Sequence, residues 1–93
     1  MVEFELPEEL TEEFLALIPR QRYTVNEMLL AGTIRSYALA LDRSMLWAVI
    51  EADSEFEVLE IIEKMPLCEY MDPHISELFF HETPEFVHSF SLN

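Results

Sequence analysis

The sequence predicts an α+β domain with a four-stranded antiparallel sheet and two helices on one of its faces. Two stretches with a helical period of apolar residues each follow a residue suited to cap a helix. Strand-like segments lie before the first stretch, between the two and after the second, and the two middle segments are joined by a turn. The order strand, helix, strand, strand, helix, strand is the split βαβ, or ferredoxin-like, arrangement.

The first strand and the first helix are defined by their periods and their boundaries. Residues 1–6 alternate apolar and acidic side chains, as a half-buried strand does, and Pro7 ends the run. Thr11 precedes an acidic turn and suits a helix N-cap. Pro19 interrupts the helical pattern, so we expect either a kink or two helices that meet there. Gly32 lies where the pattern ends and suits the left-handed residue that follows a helix.

A hairpin and a second helix follow. Residues 33–41 and 45–52 have the composition of strands, and residues 42–44 are typical of the turn between them. Residues 54–57 form a capping box, in which a serine hydroxyl and a glutamate carboxylate accept from backbone N–H groups at the start of a helix. An apolar stripe continues behind this box, and Pro66 ends the helix.

The last predicted strand covers residues 74–82 and is closed by Pro84. Residues 1–82 therefore form one domain, and residues 83–93 form an extension that we expect to pack on a partner subunit. Helices on one face leave the second face of the sheet bare. Because the strands carry aromatic and β-branched residues, we expect a second copy of the chain to cover that face.

Charge and composition exclude several classes of function. Five Lys and Arg oppose 19 Asp and Glu, a formal charge of −14, so binding to nucleic acid or to an anionic membrane surface is not expected. Hydrophobic residues make up 51% of the chain, which is too many for a disordered acidic segment. The single cysteine, Cys68, permits no internal disulfide. We expect a cytoplasmic protein.

Two short stretches carry a family resemblance. Leu-Ala-Gly-Thr-Ile-Arg at residues 30–35 and Met-Pro-Leu-Cys-Glu-Tyr-Met-Asp at residues 65–72 resemble the muconolactone isomerase family. The resemblance implies a dimeric α/β-barrel, often built into larger homo-oligomers, and a cofactor-free lactone isomerisation. It also implies an acidic proton carrier near the middle of the first helix, a region where this chain has Arg20, Gln21 and Arg22.

The isomerisation needs a cation for the substrate carboxylate, a group that moves a proton and an apolar enclosure. Arg35 is the candidate for the carboxylate, although a salt bridge to a neighbouring glutamate is its simpler role. Tyr37 lies two residues further along the strand, so we expect both side chains on one face, with Tyr37 as a catalytic candidate that donates a hydrogen bond to the ligand. His74 and His81 are equal candidates for the proton carrier.

Two aromatic residues complete the candidate substrate site. Trp47 and Tyr70 are candidates for substrate contact, although core, interface or loop packing is the simpler explanation for both. The three histidines are spaced by seven, but prolines argue against one helix that would stack them, and Cys68 adds no ligand spacing. We therefore expect neither a metal nor a cofactor.

Three functions fit these residues. The first is a small isomerase that acts on a lactone or carboxylate by general acid/base catalysis. The second is a non-catalytic member of the same superfamily that binds a small molecule or only assembles. The third is a cofactor-free monooxygenase on the same fold, which would consume oxygen.

Overall fold

The computed structural model describes residues 1–79 and 81, and the predicted extension at residues 83–93 lies outside this part of the chain. Strands and helices follow in the expected order, so the predicted α+β architecture is confirmed. A short 3-10 helix precedes the last strand. The elements are β1 (Val2–Glu5), α1 (Glu12–Leu30), β2 (Ile34–Leu39), β3 (Met45–Ile50), α2 (Glu55–Glu63), the 3-10 helix (Cys68–Tyr70) and β4 (Asp72–Ile75).

The sheet has the strand order β2-β3-β1-β4, and all neighbouring strands are antiparallel. This order is consistent with a ferredoxin-like fold. It makes β1 and β3 the two central strands and leaves β2 and β4 at the edges. Residues that stand directly opposite each other share a face. Val2 is opposite Ala48 and Phe4 is opposite Leu46, so these four side chains lie on one face.

That face carries the core. Val2 and Phe4 are 1% and 0% exposed, whereas the intervening Glu3 is half-buried and Glu5 is exposed. Both helices add buried residues to the same cluster, so both cover this face of the sheet. Burial of one such apolar side chain stabilises the fold by roughly 1.5 to 3 kcal/mol. The helix residues of the cluster are Phe14, Val25, Val58 and Ile62.

Helix α1 runs without a break through Pro19, so the alternative of two helices meeting there is wrong. Pro19 is exposed, and Phe14 and Val25 are buried on either side of it. Packing of both halves on the sheet therefore outweighs the backbone hydrogen bond that the proline removes. The cap at Thr11 is as predicted, since its Oγ1 accepts from the Phe14 N–H at 3.2 Å. No helix in residues 1–79 has the length and apolar character needed to cross a bilayer.

The turn chemistry and the second helix also follow the predictions. Gly32 has the expected positive φ of 79°. The Ser54 hydroxyl accepts from the Glu57 N–H at 3.1 Å, as in a capping box. The Glu57 carboxylate accepts from the N–H of Asp53 at 3.1 Å, one residue before the cap. In the hairpin turn, Asp42 accepts from the backbone and hydroxyl of the serine two residues later, which lowers the pKa of its carboxyl.

The last strand differs from its predicted bounds of residues 74–82. β4 is shorter and begins earlier, at Asp72, and it contains Pro73. A proline lacks an N–H group and is tolerated at the edge of a sheet, where one side of the strand has no partner. β4 is such an edge strand. Its position in the strand order explains why a proline that suggests a boundary instead lies inside the strand.

Candidate functional site

A groove of about 1000 Å³ opens at one end of the sheet, and we call it the end groove. It lies where β1 starts, β3 ends, α2 begins and the chain leaves β4. Its volume is at the upper end of the range found for small-molecule sites. Part of its wall is apolar, formed by Val2, Val49, Ile50, Val58 and Ile75.

Arg35 lines the end groove and pairs there with Glu51. Its Nε lies 3.0 Å from Glu51 Oε2, and the two side chains are 55% and 66% exposed. The salt bridge is the simpler of the two roles expected for Arg35. An exposed pair of this kind contributes about 0 to 1 kcal/mol, so another carboxylate can compete with Glu51 for the guanidinium.

The polar wall of the end groove is mostly acidic. Besides Glu51 it contains Asp53, Glu55 and Glu77, against the single guanidinium of Arg35. Sequence reasoning expected a neighbouring glutamate as the partner of Arg35 but did not identify it as Glu51. The signal was available in the hairpin, since two strands joined by a short turn bring the start of one beside the end of the other.

The two candidate histidines lie in different places. His81 lines the end groove together with Arg35. His74 is on β4, where it stands opposite Glu3 of β1 and close to Glu5 and Asp72. Of the two equal candidates for the proton carrier, His81 is therefore the one that shares a cavity with Arg35.

Tyr37 does not line the end groove with Arg35, so the structure does not bring these two candidates together there. A bulge between Ile34 and Ser36 interrupts the strict alternation of β2. Tyr37 lies opposite the buried Ala48, and its hydroxyl accepts from Gln21 Nε2 of α1 at 3.4 Å. Burial raises the pKa of the Tyr37 phenol, and the hydrogen bond from Gln21 opposes part of that rise.

Gln21 lies in the region where the family resemblance implies an acidic proton carrier. Its side chain is 4% exposed, whereas its neighbours Arg20 and Arg22 are exposed. The Gln21 Oε1 accepts from the Leu67 N–H at 3.1 Å, and its Nε2 donates to Tyr37. The inward-facing residue of this region is thus a neutral amide whose hydrogen bonds join α1 to β2 and to the segment after α2.

The two aromatic candidates are also apart from the end groove. Tyr70 packs edge-on against Phe14, with ring centroids 5.8 Å apart and an interplanar angle of 86°, so it contributes to packing. Trp47 of β3 is half-buried and stands opposite Glu3, on the face of the sheet that the helices do not cover. We call this second face the open face. Its described residues include Glu3, Glu5, Met45, Trp47, Val49, Asp72 and His74.

A comparison of the chain with protein-family models finds no match, and no curated protein matches its sequence significantly. The resemblance to muconolactone isomerases therefore rests on the two stretches at residues 30–35 and 65–72. It stays a prediction.

Proposed function

We propose that the chain binds a small carboxylate or lactone in the end groove and isomerises it by cofactor-free acid/base catalysis, as the resemblance to muconolactone isomerases implies. One observation supports the proposal above the others. Arg35, on β2, and His81, after β4, are far apart in the sequence, and both line the same groove. The pair supplies a cation for an anionic ligand and a group that can carry a proton.

In the proposed reaction each group has one task. Arg35 holds the ligand carboxylate through its planar guanidinium. His81 takes a proton from one carbon of the ring and returns a proton at another, so the double bond moves and the composition of the ligand is unchanged. The apolar wall at Val49 and Ile75 limits the access of water to the ring.

Substitution of Glu51 tests whether Arg35 binds the ligand carboxylate. Because it pairs with Arg35, it competes with any ligand carboxylate for the same guanidinium. Glu51→Gln removes both the competitor and one negative charge from the groove. Melting curves of the full chain with a panel of lactones and aromatic acids should show larger ligand-induced shifts in Glu51→Gln and no shift in Arg35→Gln. Arg43→Gln changes an exposed arginine in the hairpin turn and is the matched control.

An absence of melting shifts across the panel in both the unmodified chain and Glu51→Gln would contradict binding in this groove. Equal shifts in Arg35→Gln and the unmodified chain would show that the ligand is held elsewhere. Either result ends the role proposed for Arg35.

Catalysis is tested separately on any ligand that binds. Deuterium from D₂O should enter the ring of a bound lactone, and His81→Asn should lower the rate by roughly 100-fold or more, the contribution typical of one general acid/base group. Loss of turnover in His74→Asn but not in His81→Asn would contradict the assignment. Oxygen consumption during turnover would instead indicate the monooxygenase alternative, and binding without turnover would indicate the non-catalytic one.

We also propose that the protein is cytoplasmic and that it forms a homodimer or larger homo-oligomer, and the open face supports the assembly. Trp47, Met45 and Val49 give this face an apolar strip across β3 in addition to its acids. A second copy that packs sheet to sheet would remove the strip from water. Sedimentation velocity should show a dimer that Trp47→Lys converts to a monomer, whereas Tyr23→Lys, at an exposed position of α1, leaves it intact. A monomeric unmodified chain would contradict the proposal.

A further inference from the structure

We propose that Glu5, Asp72 and His74 form a binding site for Zn²⁺ on the open face. The three side chains come from neighbouring strands, since Glu5 belongs to β1 and the other two to β4. Each offers one ligand atom, and these atoms lie within 4.8 Å of one another. The site is outside the end groove and is independent of the proposed reaction. It lies on β1 and the edge strand β4, whereas the apolar strip proposed to contact a second copy lies on β3.

The sheet fixes the relative positions of the three residues. Glu5 stands directly opposite Asp72 in the antiparallel ladder between β1 and β4. His74 follows Asp72 by two residues, so its side chain lies on the same face. Paired strands are more rigid than a loop, so a site on them loses less conformational freedom when it binds an ion. This favours binding even though the protein supplies only three ligands.

The distances from the imidazole to the two carboxylates, which also suit an ion pair, are compatible with a metal site. His74 Nε2 lies 3.4 Å from Glu5 Oε1 and 3.5 Å from Asp72 Oδ2. Both separations exceed the usual range of an N–H···O hydrogen bond, about 2.7 to 3.2 Å. Two ligands bound tetrahedrally to Zn²⁺ at about 2.0 to 2.2 Å stand about 3.3 to 3.5 Å apart. One zinc ion could therefore bind the imidazole and both carboxylates, whose ligand atoms lie within 4.8 Å of one another, after a small adjustment of these exposed side chains.

Charge supports a cation at this position. The two carboxylates contribute two negative charges, and Glu3 lies next to His74 on the same face. Among the residues that the structure describes, Glu5 and Asp72 pair with His74, and no arginine or lysine forms an ion pair with either of them. A divalent ion would balance the two carboxylates.

The donor set selects among metal ions. An imidazole with two carboxylates suits zinc and its neighbours in the first transition series, whereas Mg²⁺ and Ca²⁺ prefer oxygen ligands alone. Three protein ligands leave a fourth tetrahedral position for water. The spacing of histidines and cysteine along the sequence did not indicate this site. The site uses a single histidine, and its glutamate is distant in the sequence.

Zinc binding can be measured directly on the full chain after treatment with a chelator. Isothermal titration calorimetry should find one Zn²⁺ per chain, and Co²⁺ in its place should give the intense visible absorption of tetrahedral coordination. Glu5→Gln and His74→Asn should each weaken binding by at least about tenfold. A large excess of Mg²⁺ should not compete.

Two control variants separate this site from general attraction to an acidic protein. Glu3→Gln removes the same charge as Glu5→Gln from the same strand and face, and it should retain zinc binding. His81→Asn removes a histidine outside the site and should also retain it. Equal weakening by Glu3→Gln and Glu5→Gln, unchanged binding in His74→Asn, or no binding at all would overturn the proposal. Circular dichroism without metal checks that each variant is folded.

Discussion

The two faces of the sheet differ although the same strands form both. Along β1, Val2 and Phe4 are buried under the helices, whereas Glu3 and Glu5 lie on the open face. Val2 and Phe4 pack the sheet against α1 and α2. Glu3 and Glu5 contribute little to the stability of the folded monomer. The open face is therefore available for partners or ions, and substitutions that affect it should change binding more than folding.

The largest effect should come from a substitution on the helix-covered face. Phe4 is 0% exposed and belongs to the cluster that joins β1 to both helices. Phe4→Ala should lower the free energy of unfolding by about 3 to 5 kcal/mol, because it removes apolar contacts and leaves a cavity. Denaturant unfolding measures the change.

The matched variant on the open face is Glu3→Ala, one position away on the same strand. It should change the free energy of unfolding by no more than about 0.5 kcal/mol, as substitutions outside the core usually do. Because Phe4→Ala can prevent folding altogether, the milder Phe4→Leu provides a measurable intermediate. Equal losses in Phe4→Leu and Glu3→Ala would contradict the difference between the faces.

A smaller loss should follow from the buried amide between α1 and the sheet. Gln21→Leu leaves the Leu67 N–H without its acceptor and removes the donor to Tyr37. A buried N–H group that loses its partner costs about 1 to 3 kcal/mol. Urea unfolding should show a loss of this size for Gln21→Leu, whereas Arg22→Leu, at an exposed position of the same helix, should stay close to the unmodified chain. A neutral effect of Gln21→Leu would mean that water replaces both hydrogen bonds.

Local features of the fold could be predicted from the sequence, and features that depend on the strand order could not. The alternation in residues 1–6 was enough to predict β1 and its two faces, and the capping box at residues 54–57 was enough to predict the start of α2. The extent of β4 was not predictable, because Pro73 is acceptable only in an edge strand.

The candidate site was predicted less well for the same reason. Arg35 and His81 were both named from their chemistry, but their common groove depends on where the chain runs after β4. The bulge between Ile34 and Ser36 has no sequence signal that we can identify. The contact of Glu5 with His74 requires the pairing of the first strand with the last, which a reading of local patterns does not provide.

The smallest effect concerns two tyrosines that differ in their surroundings. Tyr37 faces α1 and has a raised pKa because of burial, whereas Tyr23 is exposed on α1. Below a pH of about 10 the Tyr37 phenol is neutral in both the folded and the unfolded chain. As the pH rises further, the unfolded chain loses the Tyr37 proton first, so the stability that comes from the neutral phenol is lost as the pH passes through the folded pKa.

The free energy of unfolding of the unmodified chain should therefore fall more steeply above pH of about 10 than that of Tyr37→Phe. Tyr23→Phe has the same chemical change at an exposed position and should follow the unmodified chain. Denaturant midpoints at a series of alkaline pH values measure the three slopes. Parallel slopes in Tyr37→Phe and Tyr23→Phe would mean that Tyr37 ionises as freely in the folded chain as in the unfolded one, and that its contact with α1 does not keep water from the phenol.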